Sequence, residues 1–186
     1  SWAWQPPSSS PADSPGSASV AVPAPVPDPL QPDIDAYQAF LDGRGVGDVL
    51  PIEELLHGAH AIPGCPRRLR RLVPPRELWP RMVAPLELLR RLRTEGLLGA
   101  ATVASAYRNE AANTCSGGSP RSKHLTNGAI DIVIPEDATL RTRLCTFWRK
   151  RGKRLRFGLG FYDATHLHLD ALGYRTWGPT YKRASS

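Results

Sequence analysis

His124 and Asp131 stand seven residues apart in Ser122-Lys123-His124-Leu125-Thr126-Asn127-Gly128-Ala129-Ile130-Asp131, and His166, His168 and Asp170 alternate in His166-Leu167-His168-Leu169-Asp170. Imidazole nitrogens and carboxylate oxygens are the donors zinc takes, and a catalytic zinc uses three protein ligands and keeps one position for water. His124, Asp131 and His168 meet that count and leave one histidine over. The chemistry predicted is hydrolysis by a metal-activated water, and so an enzyme.

Those donors need elements to hold them. Ala129 to Ile134 alternates as a strand, with Ile130, Ile132 and Ile134 on one face and Asp131 on the other. Gly128 lets the turn before it tighten. In the second segment the same period sends His166, His168 and Asp170 to one face and Leu167 and Leu169 to the opposite one. One histidine can then bind metal while its neighbour touches substrate. Thr102 to Arg108 reads as a further strand, as does Phe157 to Phe161. Asn109 to Arg121 reads as loop in its second half, where Ser116, Gly117, Gly118, Ser119 and Pro120 cluster. Residues 138–151 read as a helix that turns Leu140, Leu144, Phe147 and Trp148 inward and ends at Gly152.

The amino-terminal part is different. Residues 1–32 are dominated by Pro, Ser and Ala and read as a linker, either a semi-rigid extended spacer or a disordered tail. Folding signals begin at Asp33. Residues 33–100 form a mainly helical lead-in: Ile34, Tyr37, Phe40 and Leu41 at helical spacing, a short helix after Pro51, an irregular Pro- and Arg-rich stretch over 62–82, and a helix over 84–95 closed by Gly96. Residues 101–178 form the metal-binding core of a domain that runs to 183.

Bulk properties narrow the partners. The chain has 186 residues, 41% of them hydrophobic, and a net charge of +7 with a pI near 9.8. That balance favours polyanions without choosing among them. The basic runs Arg67-Arg68-Leu69-Arg70-Arg71, Arg90-Arg91-Leu92-Arg93 and Arg149-Lys150-Arg151-Gly152-Lys153-Arg154 largely lack the interleaved aromatics that single-stranded nucleic acid would use, so no nucleic-acid partner is expected. The expectation for these runs is solvated helix faces, or attraction to an anionic wall or membrane surface. His57 and His60 are expected to be exposed. No stretch is long and apolar enough for a membrane span. The chain opens on Ser1, which leaves room for a removed upstream segment, a membrane anchor among the options, and a monomer is expected. Cys65, Cys115 and Cys145 show no C-x-x-C spacing, so they are not expected to bind zinc. An oxidising compartment would give one disulfide, expected between Cys115 and Cys145, and a reducing one three buried thiols.

Several stretches together resemble a known family. Ser105-Ala106-Tyr107-Arg108-Asn109, then Ser122-x-His124 through Gly128 to Asp131, then Gly158-Leu159-Gly160-Phe161-Tyr162, then His166-Leu167-His168-Leu169-Asp170 are similar, in order and spacing, to the M15 zinc D-alanyl-D-alanine peptidases of bacterial peptidoglycan. The family signature is S-x-H-x-x-G-x-A-x-D. Here Asn127 stands in the glycine place, and asparagine tolerates a left-handed turn. The resemblance implies an α+β fold shared with the amino-terminal domain of hedgehog proteins, a small antiparallel sheet with helices packed on it. It implies His124, Asp131 and His168 as Zn2+ ligands, Arg108 at the substrate and the developing oxyanion, Ser122 at the substrate, and His166 at the tetrahedral intermediate or in proton transfer. It implies stem peptides of peptidoglycan as substrate and an extracytoplasmic location in the periplasm or cell envelope. The family's E-x-x-H glutamate is replaced by Thr165, so the general base falls to Asp163 or His166. Asp170 orients a ligand histidine or makes a strand-end salt bridge. The alternative reading is a zinc-stabilised module that binds wall peptides or a protein without cleaving them.

Overall fold

Five short strands build the sheet, and their order places the two chemical segments side by side. The computed structural model describes residues 24–99 and 101–178, so most of the Pro-rich stretch lies outside the described residues. The strands are β1 (Thr102–Ser105), β2 (Ala129–Val133), β3 (Gly158–Phe161), β4 (His166–Asp170) and β5 (Arg175–Trp177). Their order in the sheet is β1-β2-β4-β3-β5. All pairings are antiparallel except the edge pair β3 with β5, which is parallel. The fold is α+β, as expected, and the parallel edge strand was not foreseen.

Alternation divides the sheet into a greasy face and a chemical face. Ile130 pairs with Leu169 and Leu169 with Leu159, while Ile132 pairs with Leu167 and Leu167 with Phe161. All six are buried in one hydrophobic core. That core includes Leu144, Phe147 and Trp148 of α5 (Ala138–Leu155) and Leu86, Leu89 and Leu92 of α3 (Val83–Thr94). It also takes in Ile34, Tyr37 and Leu41 of α1 (Gln31–Gly43). Each such side chain contributes roughly 1.5–3 kcal/mol on burial, so the lead-in and the sheet share one stabilising unit.

The local signals explain most boundaries. α3 stops where Gly96 takes a positive φ of 72°. α5 starts at Asp137, whose carboxylate accepts from the backbone N–H groups of Thr139 and Leu140. It does not end at Gly152. It continues to Leu155 and closes at Arg156 in the left-handed conformation. Gly152 lies within the helix because a Cβ there would stand 2.9 Å from the Tyr174 ring, which stacks on Trp148. The linker ends sooner than expected, since α1 begins at Gln31 and Asp28 is already held by Arg71 at 2.6 Å. Residues 62–82 contain two 3₁₀ turns, Arg67–Leu69 and Arg76–Met82. α2 (Ile52–Leu55) and α4 (Glu110–Cys115) complete the helices of the described residues.

The disulfide differs from expectation. It joins Cys65 to Cys115, and Cys145 is a buried free thiol. Cys145 faces inward from α5 into the large core, on the far side of the sheet from α4. The loop around Cys65 instead packs beside Ala112 of α4 in a second, small apolar cluster. His57 also departs from expectation. It is half-buried, stacked on His60 at 3.8 Å, and its Nδ1 bonds the Val103 carbonyl at 2.8 Å.

Candidate metal centre

One cross-strand row forms the floor of the site. Ser105 of β1 lies opposite Asp131 of β2, Asp131 opposite His168 of β4, His168 opposite Gly160 of β3, and Gly160 opposite Trp177 of β5. Directly opposed residues share a face. The register slips between Val103 and Ser105, and that bulge brings Ser105 opposite Asp131. The neighbouring row runs Ala129, Asp170, Gly158 and Arg175. The two glycines of β3 leave room for what lies beside them. A Cβ at Gly158 would stand 2.6 Å from both Asp170 carboxylate oxygens, and one at Gly160 would stand 2.0 Å from the Trp177 ring.

His124 comes from outside the sheet. It sits in a 3₁₀ turn, Lys123–Thr126, capped by the Ser122 hydroxyl: Ser122 Oγ accepts from His124 N at 3.3 Å. Ser122 therefore positions His124, and it also lines the cavity described below. The turn ends at Asn127 with φ 57°, so the left-handed residue is the asparagine and not Gly128. Asn127 is fully buried, and its amide donates to the Leu78 carbonyl at 3.1 Å and to Tyr37 Oη at 3.2 Å. The helical lead-in thus clamps the loop that carries His124. Gly128 is small for another reason, since a Cβ there would meet Leu172 at 2.8 Å.

The three donors converge. His124 Nε2 lies 3.0 Å and His168 Nδ1 3.1 Å from the same oxygen, Asp131 Oδ1. All three residues are buried, and their ligand atoms lie within 4.8 Å of one another. The other ring nitrogens are committed elsewhere. His124 Nδ1 donates to the Ala106 carbonyl at 2.6 Å, and His168 Nε2 donates to Asp170 Oδ2 at 2.8 Å. In those tautomers both inward nitrogens carry lone pairs, and His124 Nε2 is a buried atom with no hydrogen-bond partner. Lone pairs converging with a carboxylate on one small space are what a divalent zinc would satisfy.

Electrostatics agree with that reading. Burial holds the His124 pKa below its ordinary value and keeps the ring neutral, the form that binds metal. Burial opposes ionisation of Asp131, but the two histidines outweigh it and hold the carboxyl below the usual range. His168 is also desolvated, yet its bonds to Asp131 and Asp170 raise its pKa. Without a cation between the donors, His168 is the ring that takes up a proton.

Around the cluster, Arg108 Nη2 donates to Asp131 Oδ2 at 2.6 Å and Arg108 Nε to Ser105 Oγ at 2.7 Å. Ser105 in turn donates to the Gly58 carbonyl at 2.7 Å, so a chain of bonds fixes the guanidinium. Tyr162 Oη donates to Asp131 Oδ1 at 3.1 Å. Asp170 is fully buried, accepts from Leu172 N at 2.9 Å and pairs with Arg175. It therefore does both things expected of it, orienting His168 and making a salt bridge.

Asp163 and His166, offered as alternative bases, form one pair. His166 Nδ1 lies 2.9 Å and 3.0 Å from the two Asp163 oxygens. Asp163 Oδ1 also accepts from the backbone N–H of Thr165 and of His166, each at 2.8 Å. Burial works against ionisation of Asp163, but these bonds and His166 prevail and lower its pKa. Asp163, His166, Asp131, His168, Arg108 and Ser122 all line one cavity of about 560 Å³. Its other walls include Gly117, Gly118, Arg121, Lys123, Arg175 and Trp177. Trp177 packs edge-on to Tyr162 at 4.9 Å and beside His168 at 5.6 Å. Neither Trp177 nor Tyr162 was among the residues expected at the site. The signal for Trp177 was Gly160, which makes sense only with a large group above it.

A buried His-Asp-His cluster beside a cavity on an α+β sheet is a donor set that could hold one metal ion. The Peptidase M15 family model matches residues 77–170, and the chain belongs to that family, whose members are zinc peptidases. The match spans β1 to β4 and extends back across the lead-in to include α3. No curated protein and no solved structure matches the chain.

Proposed function

We propose that this protein is a zinc-dependent peptidase of peptidoglycan stem peptides, acting as a D,D-carboxypeptidase or a cross-link endopeptidase. The observation that carries the reading is the convergence of three buried donors, His124 Nε2, Asp131 and His168 Nδ1, beside a cavity lined by four cations, Arg108, Arg121, Lys123 and Arg175. A basic cleft suits a peptide bearing free carboxylates. Zinc held there supplies Lewis acidity for the scissile carbonyl and acidifies a water. Arg108, locked by Ser105 and Asp131, presents its remaining N–H groups to the developing oxyanion. Asp163 fixes His166 with Nδ1–H bound to carboxylate, so Nε2 is the basic atom. That nitrogen takes the proton of the attacking water and returns it to the leaving amine. Asp163 is then the positioning residue, and its depressed pKa makes it the weaker base of the two. Tyr162 and Trp177 supply an aromatic wall against which an apolar part of the peptide packs.

The Cys65–Cys115 disulfide supports an extracytoplasmic location, since such bonds persist in oxidising compartments. The binding-module reading draws on two observations: no carboxylate occupies position 165, and Asp163 is engaged by backbone donors. Incubation of the zinc-loaded protein with purified muropeptides, read by mass spectrometry, separates the two. Loss of a terminal D-Ala or splitting of cross-linked dimers supports the peptidase. Unchanged muropeptides that nonetheless bind the protein establish the module.

A further inference from the structure

The long helix α5 carries a charge pattern that neither the core nor the cavity uses. No acidic residue occurs between Asp137 and Arg156. The buried residues Leu144, Cys145, Phe147, Trp148 and Gly152 turn one side inward. Arg143, Arg149, Lys150, Lys153, Arg154 and Arg156 are exposed on the remainder. Among the described residues only Arg151 of the helix has a carboxylate partner, Glu95 at 2.5 Å. Lys153 and Arg154, in the last turn, complement the helix dipole. The rest of the pattern works against the helix, because Arg149 with Lys153 and Lys150 with Arg154 are like charges one turn apart. A sequence selected only for helix stability would place glutamates there.

Position gives the pattern a purpose. The buried side of α5 shares the core with Leu159, Phe161, Leu167 and Leu169, which lie on the sheet face opposite His168 and Asp131. No α5 residue lines the metal-site cavity. We propose that the outer face of α5 docks the protein on an anionic phospholipid membrane, leaving the cavity facing away from the bilayer. The helix has 18 residues and is about 27 Å long, so its exposed cations are spread along a broad outer face that can lie against a plane. The contact is electrostatic, because the large exposed hydrophobics among the described residues are Val26 and Tyr174, both outside α5. The face also lacks the aromatics on which bases would stack. The docking stands on charge and geometry alone, and the wall-peptide reading adds only what the outward-facing cavity would reach.

Flotation of the full chain with phosphatidylglycerol–phosphatidylcholine vesicles, against phosphatidylcholine alone, tests this. Binding is expected only to the anionic vesicles and is expected to weaken as salt shortens the screening length. The triple variant Lys150→Gln, Lys153→Gln, Arg154→Gln should bind about a hundredfold more weakly, at about fivefold per charge. A matched control, Arg44→Gln, Arg67→Gln, Arg68→Gln, should stay within about threefold of wild type, the local charge at α5 being what the membrane reads. Thermal melting and zinc content of both variants confirm that they fold. Equal loss in the two triples, binding to phosphatidylcholine, absence of binding at low salt, or a preference for soluble polyphosphate over vesicles would each overturn the proposal.

Discussion

Replacing Asp170 by asparagine removes a charge from a side chain that no water can reach. Asp170 is 0% exposed, and its Oδ2 is the acceptor that holds His168 Nε2–H at 2.8 Å. Its Oδ1 accepts from Leu172 N at 2.9 Å and from Arg175 Nη1 at 3.1 Å. Donors therefore face both oxygens. Asparagine has nearly the same shape, but its NH2 must point at one of those donors, since each side of the group already meets an N–H. If it meets Leu172, a backbone N–H loses its acceptor. If it meets His168, the ring loses the bond that keeps the proton on Nε2 and the lone pair on Nδ1. Losing an outer partner of this kind weakens metal binding about 10- to 100-fold, or about 1.4–2.8 kcal/mol. The fold should lose a further ~1.5–3 kcal/mol for the charge-assisted bonds. Arg175 moderates that loss, because its side chain is 37% exposed and can regain water. Competition between the protein and a chelator of known zinc affinity gives the first quantity, and chemical denaturation of the zinc-free protein gives the second. Zinc affinity within about threefold of wild type, with the zinc-free fold intact, would refute the claim that Asp170 sets the tautomer of His168.

Other consequences follow from the same geometry. His166→Ala should lower kcat about 10²- to 10⁴-fold with zinc content unchanged. Asp163→Asn should act in the same direction and shift the pH–rate profile, and an unchanged profile would detach Asp163 from His166. Cys65→Ser or Cys115→Ser should cost about 4 kcal/mol of stability, the loop-closure value for a separation of 50 residues. Peptide mapping that finds a Cys115–Cys145 cross-link instead would refute the pairing. Zinc affinity should fall as pH falls, because His168, whose pKa is raised, must lose its proton to bind metal. The zinc-free protein has the opposite trend on the alkaline side. A raised folded-state pKa at His168 contributes stability that is complete below its unfolded value of about 6.5 and is lost as pH rises through the folded value. The depressed pKa of Asp131 contributes stability that is present above about pH 3.9 and is lost as pH falls through the folded value. Melting temperature against pH, with and without chelator, should therefore show zinc stabilising most in the alkaline range.

The parts of this site that were legible in the sequence are those that obey a local rule. Period-two alternation put Asp131 on one face of β2 and His166, His168 and Asp170 on one face of β4, and that face is where the metal donors meet. Asn127 was legible only through the family resemblance, whose signature has a glycine at that place, a place asparagine can take because it tolerates a left-handed turn. What could not be read depends on contacts between distant segments. Asn127 is also a buried clamp to Tyr37 and Leu78, but its partners lie 90 and 49 residues away. Cys65 stands 50 residues from Cys115, whereas Cys145 is nearer in the chain and on the wrong side of the sheet. Gly158 and Gly160 carried no role of their own within the predicted strand over 157–161. Each is in fact the empty half of a cross-strand pair, one beside Asp170 and the other beneath Trp177. A glycine in a strand can thus mark a functional side chain on a neighbouring strand, and it becomes readable only once the register is known.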